Sequence, residues 1–193
     1  EAIAALGATP IPVNIDSTYH LDPIEIEKHI TDKTKAIVSI PMWATPHMNQ
    51  MTKIAKDNNL ILIEDSAQAL GAEYKGKKLG TFGDISFFSM DRNKLLSVGE
   101  GGILVTNNKT LFEKALLTTD FGARLENTLT LKDTKIYKET GFGYKHRIHP
   151  LAAAIAINEL DNLKKYIKMR KKSLDYFSKK IQNIPGIKAP ITK

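Results

Sequence analysis

Residues 60–72 read LILIEDSAQALGA: four apolar residues, two adjacent carboxylates, then small and amide-bearing residues ending at a glycine. Leu60 to Ile63 is too short and too uniformly apolar for a surface helix and reads as a buried strand. It ends in Glu64 and Asp65. Ligands of α/β sheets gather at the carboxyl ends of strands, which makes Asp65 the first candidate for chemistry. Glu64 and Asp65 are not read as an acid/base pair, because adjacent strand residues point to opposite faces.

The pattern on either side of this strand is that of an α/β domain. Pro10 to Ile15 predicts a short strand, and Pro23 opens a helix through Ile30 with Asp22 as its N-cap. Lys35 to Ile40 (KAIVSI) predicts a strand buried on both faces, and Met48 to Asn58 a helix. Ile85 to Phe88 and Ile103 to Val105 predict two more strands, and Leu111 to Leu117 a helix. Residues 123–147 show no clean period and read as a long loop. From about His149 the chain reads as helical, with a break near Lys164, as far as Pro185. The opening EAIAALGA reads as the end of a helix closed by Gly7, so a preceding segment is expected.

The chain has 193 residues, 28 Lys and Arg against 21 Asp and Glu, 42% hydrophobic residues and no cysteine. That composition supports a real core and excludes wholesale disorder. The lack of cysteine excludes a disulfide scaffold, a thiol nucleophile and a thiolate metal site, and suits a reducing cytoplasm. No apolar run reaches the roughly 18 residues of a membrane span, and no signal-peptide pattern opens the chain, so a soluble protein is expected. Residues 161–193 hold ten Lys and Arg and two Asp, a net of +8 against +7 for the whole chain. Leu160, Leu163, Ile167, Leu174, Phe177 and Ile181 recur at helical spacing, so these cations are assigned to the solvated face of an amphipathic helix rather than to nucleic acid. His146 and His149 stand three apart with no acidic residue between them and are not read as a zinc site.

Asp65 has three possible uses: holding Mg²⁺ in a nucleotide site, capping a helix, or facing a cationic heterocycle. No G-x-x-x-x-G-K-[ST] loop supports the first. The third gains weight from Ala67 and Gln68, because a pyridinium ring needs an anion at its nitrogen, a small side chain against its face and a donor at its phenolic oxygen. Lys94 follows directly after a strand, where a lysine forms Schiff bases, and Ser89, five residues earlier, offers a hydroxyl to a phosphate. Gly99-Glu-Gly-Gly102 makes a tight turn before the next strand.

Taken in order, these stretches resemble the sugar aminotransferase family named after DegT, DnrJ and StrS, which are pyridoxal phosphate enzymes of fold-type I, the aspartate-aminotransferase-like class. The matching stretches are residues 5–10, 34–37, 63–72, 80–84, 88–89, Lys94, 99–102, 143–147 and 151–154. The resemblance implies an α/β large domain with a mixed, mainly parallel sheet between helices, here apparently incomplete. Residues 1–160 would form that domain without its N-terminal part, and 161–193 a basic helix leading toward a small domain. It implies that Lys94 carries the cofactor, Asp65 partners the pyridine nitrogen, Ala67 and Gln68 face the ring and Ser89 binds the phosphate. Lys145 stands where an asparagine commonly reaches the cofactor phosphate of a neighbouring subunit, so a homodimer with a shared active site is implied. Ala44 replaces a usual glycine, and Met90 to Asn93 is an unusual run before the lysine. The implied reaction moves an amino group from glutamate or glutamine to a keto-sugar, nucleotide-linked, for polysaccharide or natural-product synthesis. Family members are about twice as long, which leaves a non-catalytic assembly or regulatory module as the alternative.

Overall fold

The computed structural model describes residues 1–42, 46–141 and 143–187. In chain order the elements are α1 (Ala2–Ala5), α2 (Pro23–His29), β1 (Ala36–Ser39), α3 (Met48–Asp57), β2 (Ile61–Asp65), β3 (Glu73–Tyr74) and β4 (Lys77–Lys78). They continue with β5 (Ile85–Ser89), β6 (Gly102–Val105), α4 (Lys109–Thr119), α5 (Ala123–Thr128), α6 (Lys132–Lys135) and α7 (Pro150–Ile181). The main sheet has the order β1-β2-β5-β6, with β1, β2 and β5 parallel and β6 antiparallel. The three parallel strands therefore end on one edge, at Ser39, Asp65 and Ser89. Because β6 runs the other way, its first residue, Gly102, pairs with Ser89 on that same edge.

Local chemistry explains the elements that place this edge. Asp22 caps α2 by accepting the Ile24 N–H at 2.9 Å, and Pro23 sits in the first turn, where its missing N–H is harmless. Met48, Met51, Ile54 and Ala55 recur on one side of α3 and bury against Ile37, Leu60 and Leu62, joined by Ile26 of α2. Each large side chain so buried contributes about 1.5–3 kcal/mol. A smaller core of Leu116, Leu125 and Leu129 joins α4 to α5.

Several sequence expectations need correction. Residues 10–15 form no strand beyond one antiparallel bridge between Ile15 and Leu21, since Pro10 and Pro12 have no N–H for a ladder. Strand β1 lies at the sheet edge and alternates, with Ile37 and Ser39 buried and Ala36 and Val38 half-buried, rather than being buried on both faces. Helix α7 is continuous through Lys164, where a break was expected, with no glycine or proline between Leu151 and Ile181 to break it. The β3–β4 hairpin turns on Lys75 and Gly76, both left-handed at φ 49° and 78°, a two-residue signal that the sequence reading passed over.

The stretch read as a loop, 123–147, contains α5 and α6 and is organised by a buried carboxylate. Glu113 of α4 accepts the Thr130 N–H at 3.0 Å, the Thr130 hydroxyl at 2.9 Å, the Leu131 N–H at 3.1 Å and the Thr134 hydroxyl. Burial works to raise its pKa, but those hydrogen bonds outweigh it and hold the carboxyl down at about 2.

A second carboxylate secures the N-terminal segment. Asp16 accepts the Thr18 N–H at 2.8 Å and the Thr18 hydroxyl at 2.5 Å on one oxygen, and meets His47 Nε2 at 2.6 Å on the other. His20, which is buried, accepts the Met42 N–H on Nε2 at 2.9 Å, with Thr18 Oγ1 3.3 Å from its Nδ1. Burial pushes the His20 pKa down, which suits an imidazole that must accept a hydrogen bond.

Candidate active site

The period-two alternation of β2 separates its two carboxylates. Glu64 is fully buried and accepts the N–H groups of Gly80, Phe82 and Gly83 at 2.7, 2.5 and 2.5 Å, with the Ser86 hydroxyl at 3.3 Å. The loop it grips has no room for side chains at two points: a Cβ on Gly80 would stand 2.2 Å from Phe88 Cζ, and one on Gly83 2.7 Å from the Leu62 carbonyl oxygen. Sequence reasoning declined to read Glu64 and Asp65 as an acid/base pair, and it missed this role of Glu64. The available signal was the glycine-bearing GTFGD stretch that follows. Asp65 lies half-buried at the strand end, where its Oδ1 accepts the Ala67 N–H at 3.2 Å. Between them Ser66 is fully buried, and its hydroxyl has no hydrogen-bond partner among the described residues.

The next strand delivers the lysine through a chain of turns. Ser89 Oγ accepts the Asp91 N–H at 3.2 Å, Asp91 Oδ1 accepts the Asn93 N–H at 3.0 Å, and the Asp91 carbonyl accepts the Lys94 N–H at 2.9 Å. Met90 and Leu96, both buried, anchor the two ends of this segment. The Met90 N–H bonds the Gly101 carbonyl at 2.8 Å, which ties the segment to the glycine turn, where Gly99 takes φ 89°.

Ala67, Gln68, Ser89 and Lys94 line one cavity of about 380 Å³. Asp65 is not in its wall. Lys145 is exposed, left-handed at φ 58°, with Nζ 5.8 Å from the Phe121 ring centroid, and does not line that cavity either. The loop that carries it is anchored by Arg147, whose Nε lies 3.8 Å from the buried Asp120. Two cations of α7, Arg170 and Lys171, also line the Lys94 cavity while staying exposed, in keeping with the solvated basic face expected of this helix. Ala44 lies outside the described residues. Among the described residues no group of three or more metal-ligating side chains occurs, and no helix is long and apolar enough to cross a membrane.

Comparison with known proteins bears on the family and the fold. GDP-perosamine synthase of Escherichia coli O157:H7 is 38% identical over 186 residues, covering 95% of this chain and 49% of that protein. Among solved structures, the Helicobacter pylori aminotransferase PseC, involved in pseudoaminic acid biosynthesis, superposes with a TM-score of 0.82 at 27% identity, over 95% of this chain and 48% of that one. An E. coli GDP-4-keto-6-deoxy-D-mannose-3-dehydratase with bound hydrated PLP superposes with a TM-score of 0.77 at 28% identity, over 90% of this chain and 47% of that one. The chain thus spans about half the length of the relatives it matches, and its fold is the large-domain fold of the pyridoxal-phosphate-dependent aminotransferases. The model of the DegT/DnrJ/EryC1/StrS aminotransferase family matches residues 1–193, and the chain belongs to that family.

Proposed function

We propose that the chain forms the cofactor-binding part of a pyridoxal-phosphate-dependent aminotransferase that moves an amino group from glutamate or glutamine to a nucleotide-linked keto-sugar. The observation that carries this reading is the shared cavity of Ala67, Gln68, Ser89 and Lys94. The donor set suits the cofactor: an amine for its aldehyde, an amide for its phenolic oxygen, a hydroxyl for its phosphate and a small side chain for its face. Asp65, next to this wall, supplies the anion for the ring nitrogen. Its Oδ1 is fixed by the Ala67 N–H, which orients the carboxylate.

When bound, the cofactor supplies an electron-withdrawing ring. The protein's own groups do the rest. Ser89 Oγ already accepts the Asp91 N–H, so its proton is free to donate to a phosphate oxygen. Lys94, half-buried and held by the turn at Asp91, would hold the cofactor's aldehyde carbon and, once freed as an amine, take the proton from the α-carbon of the donor. Lys145, displayed away from its own cavity, reaches the phosphate of a second subunit in a cytoplasmic homodimer. Residues 1–160 act as the cofactor-binding domain and 161–193 as its link to a small domain, with the boundary inside one helix.

The test is to incubate the chain and its Lys94→Ala variant with pyridoxal 5′-phosphate, reduce with borohydride and map the peptides by mass. A pyridoxyl group on the Lys94 peptide, absent from the variant, is expected. An unmodified Lys94 overturns the assignment.

A further inference from the structure

Two of the eight cations of α7 lie at the candidate site. Its residues Arg170 and Lys171 line the cavity of Gln68, Ser89 and Lys94, and Arg170 also lines a neighbouring cavity of about 310 Å³ that again includes Lys94. In the larger cavity the charged lining residues are Lys94, Arg170 and Lys171, with no carboxylate among them. In the smaller one the single acid, Glu159, accepts a hydrogen bond from the Tyr166 hydroxyl at 3.4 Å. Close packing puts these cations there. Gly71 lacks a Cβ, and one built on it would stand 2.4 Å from Ile167 Cδ1, so the turn of helix before Arg170 lies directly on residues 67–72.

Three cations without an acid make a wall complementary to an anion. On the reading above, on which this inference rests, Ser89 serves the cofactor phosphate and Lys94 the carbonyl chemistry, which leaves the α7 pair for a second anionic group. We propose that Arg170, supported by Lys171, recognises the anionic group of a substrate entering over Lys94, either the carboxylate of the amino donor or the diphosphate of the nucleotide-linked sugar. The planar guanidinium fork matches the paired oxygens of both. Both side chains are exposed, as an approach from solvent requires.

The test is isothermal titration of the chain with L-glutamate and, separately, with inorganic pyrophosphate, using wild type, Arg170→Gln, Lys171→Gln and, as a control on the same helix outside both cavities, Lys164→Gln. Arg170→Gln is expected to weaken one probe by about tenfold or more, the scale of a lost charged hydrogen bond. Lys171→Gln should have a smaller effect and Lys164→Gln none. Dependence confined to glutamate assigns the donor carboxylate, and dependence confined to pyrophosphate assigns the diphosphate. The inference is overturned if wild type binds neither probe, if Arg170→Gln binds like wild type, or if Lys164→Gln weakens binding equally. Pyridoxyl labelling of Lys94, run on the same proteins, separates the two readings. Labelling with unchanged anion binding in Arg170→Gln removes this inference alone, whereas Arg170-dependent binding without labelling removes the cofactor assignment alone.

Discussion

Replacing Asp16 by Asn removes the charge that ties the N-terminal segment to His47 while keeping the side chain's shape. In the folded chain burial works to raise the Asp16 pKa, but hydrogen bonds from Thr18 and His47 and the adjacent imidazole lower it from 3.8 to about 2. At about 1.4 kcal/mol per pH unit, that difference has an upper bound of about 2.5 kcal/mol. The Asp16 side chain keeps 25% of its surface in water, and solvent screening reduces the figure to about 1–1.5 kcal/mol. The folded-state pKa is depressed, so this stability is fully present above 3.8 and is lost as the pH falls from there toward 2. Urea unfolding followed by circular dichroism, at steps from pH 7 to pH 2.5, should find Asp16→Asn less stable by that amount at pH 7. The gap should close below about pH 4. Glu113 titrates in both proteins, so the difference between them isolates Asp16. A gap that stays constant down to pH 2.5, or no gap at pH 7, refutes the reasoning.

Three other substitutions follow from specific contacts. Ser66→Ala removes a buried hydroxyl without a partner among the described residues and should raise stability by up to about 1 kcal/mol in urea unfolding, where a conventional polar core residue would lower it. Gly71→Ala places a Cβ 2.4 Å from Ile167 at φ 82° and should lower stability by about 2–4 kcal/mol, with partial recovery when combined with Ile167→Val. Lys145→Asn, a residue more at ease at φ 58°, should raise the thermal midpoint slightly, the gain being about 0.5–1 kcal/mol.

The sheet was legible because its strands are short apolar runs that no other element explains, and α3 because its buried residues recur at helical spacing. The candidate site was legible for a different reason. Ala67, Gln68, Ser89 and Lys94 follow strand ends, and strand ends of a parallel sheet share an edge whatever the connections between them. What stayed hidden depended on contacts distant in sequence. Nothing near Glu113 announces that it will gather Thr130, Leu131 and Thr134, so residues 123–147 read as unstructured. Helical periodicity says which residues of α7 share a face, but not that Gly71 admits Ile167 beside it. Pro10 to Ile15 has the apolar alternation of a strand, but two missing N–H donors keep it out of a ladder.

Glu64 and Asp65 show how one strand gives identical chemistry two tasks. The alternation of side chains sends Glu64 into the interior, where three N–H groups and a hydroxyl saturate it and fix the 80–83 loop beneath β5. The same alternation leaves Asp65 half-buried at the open edge, holding one local N–H. A carboxylate saturated by fixed donors serves the fold, because removing it would orphan them all. One at the edge of a cation-lined cavity has acceptor capacity to offer a ligand. The rigidity required for the second task comes from the first: Ser86, which donates to Glu64, lies in the strand that ends at Ser89 and leads on to Lys94, so the buried acid holds in register the strand from which the lysine emerges.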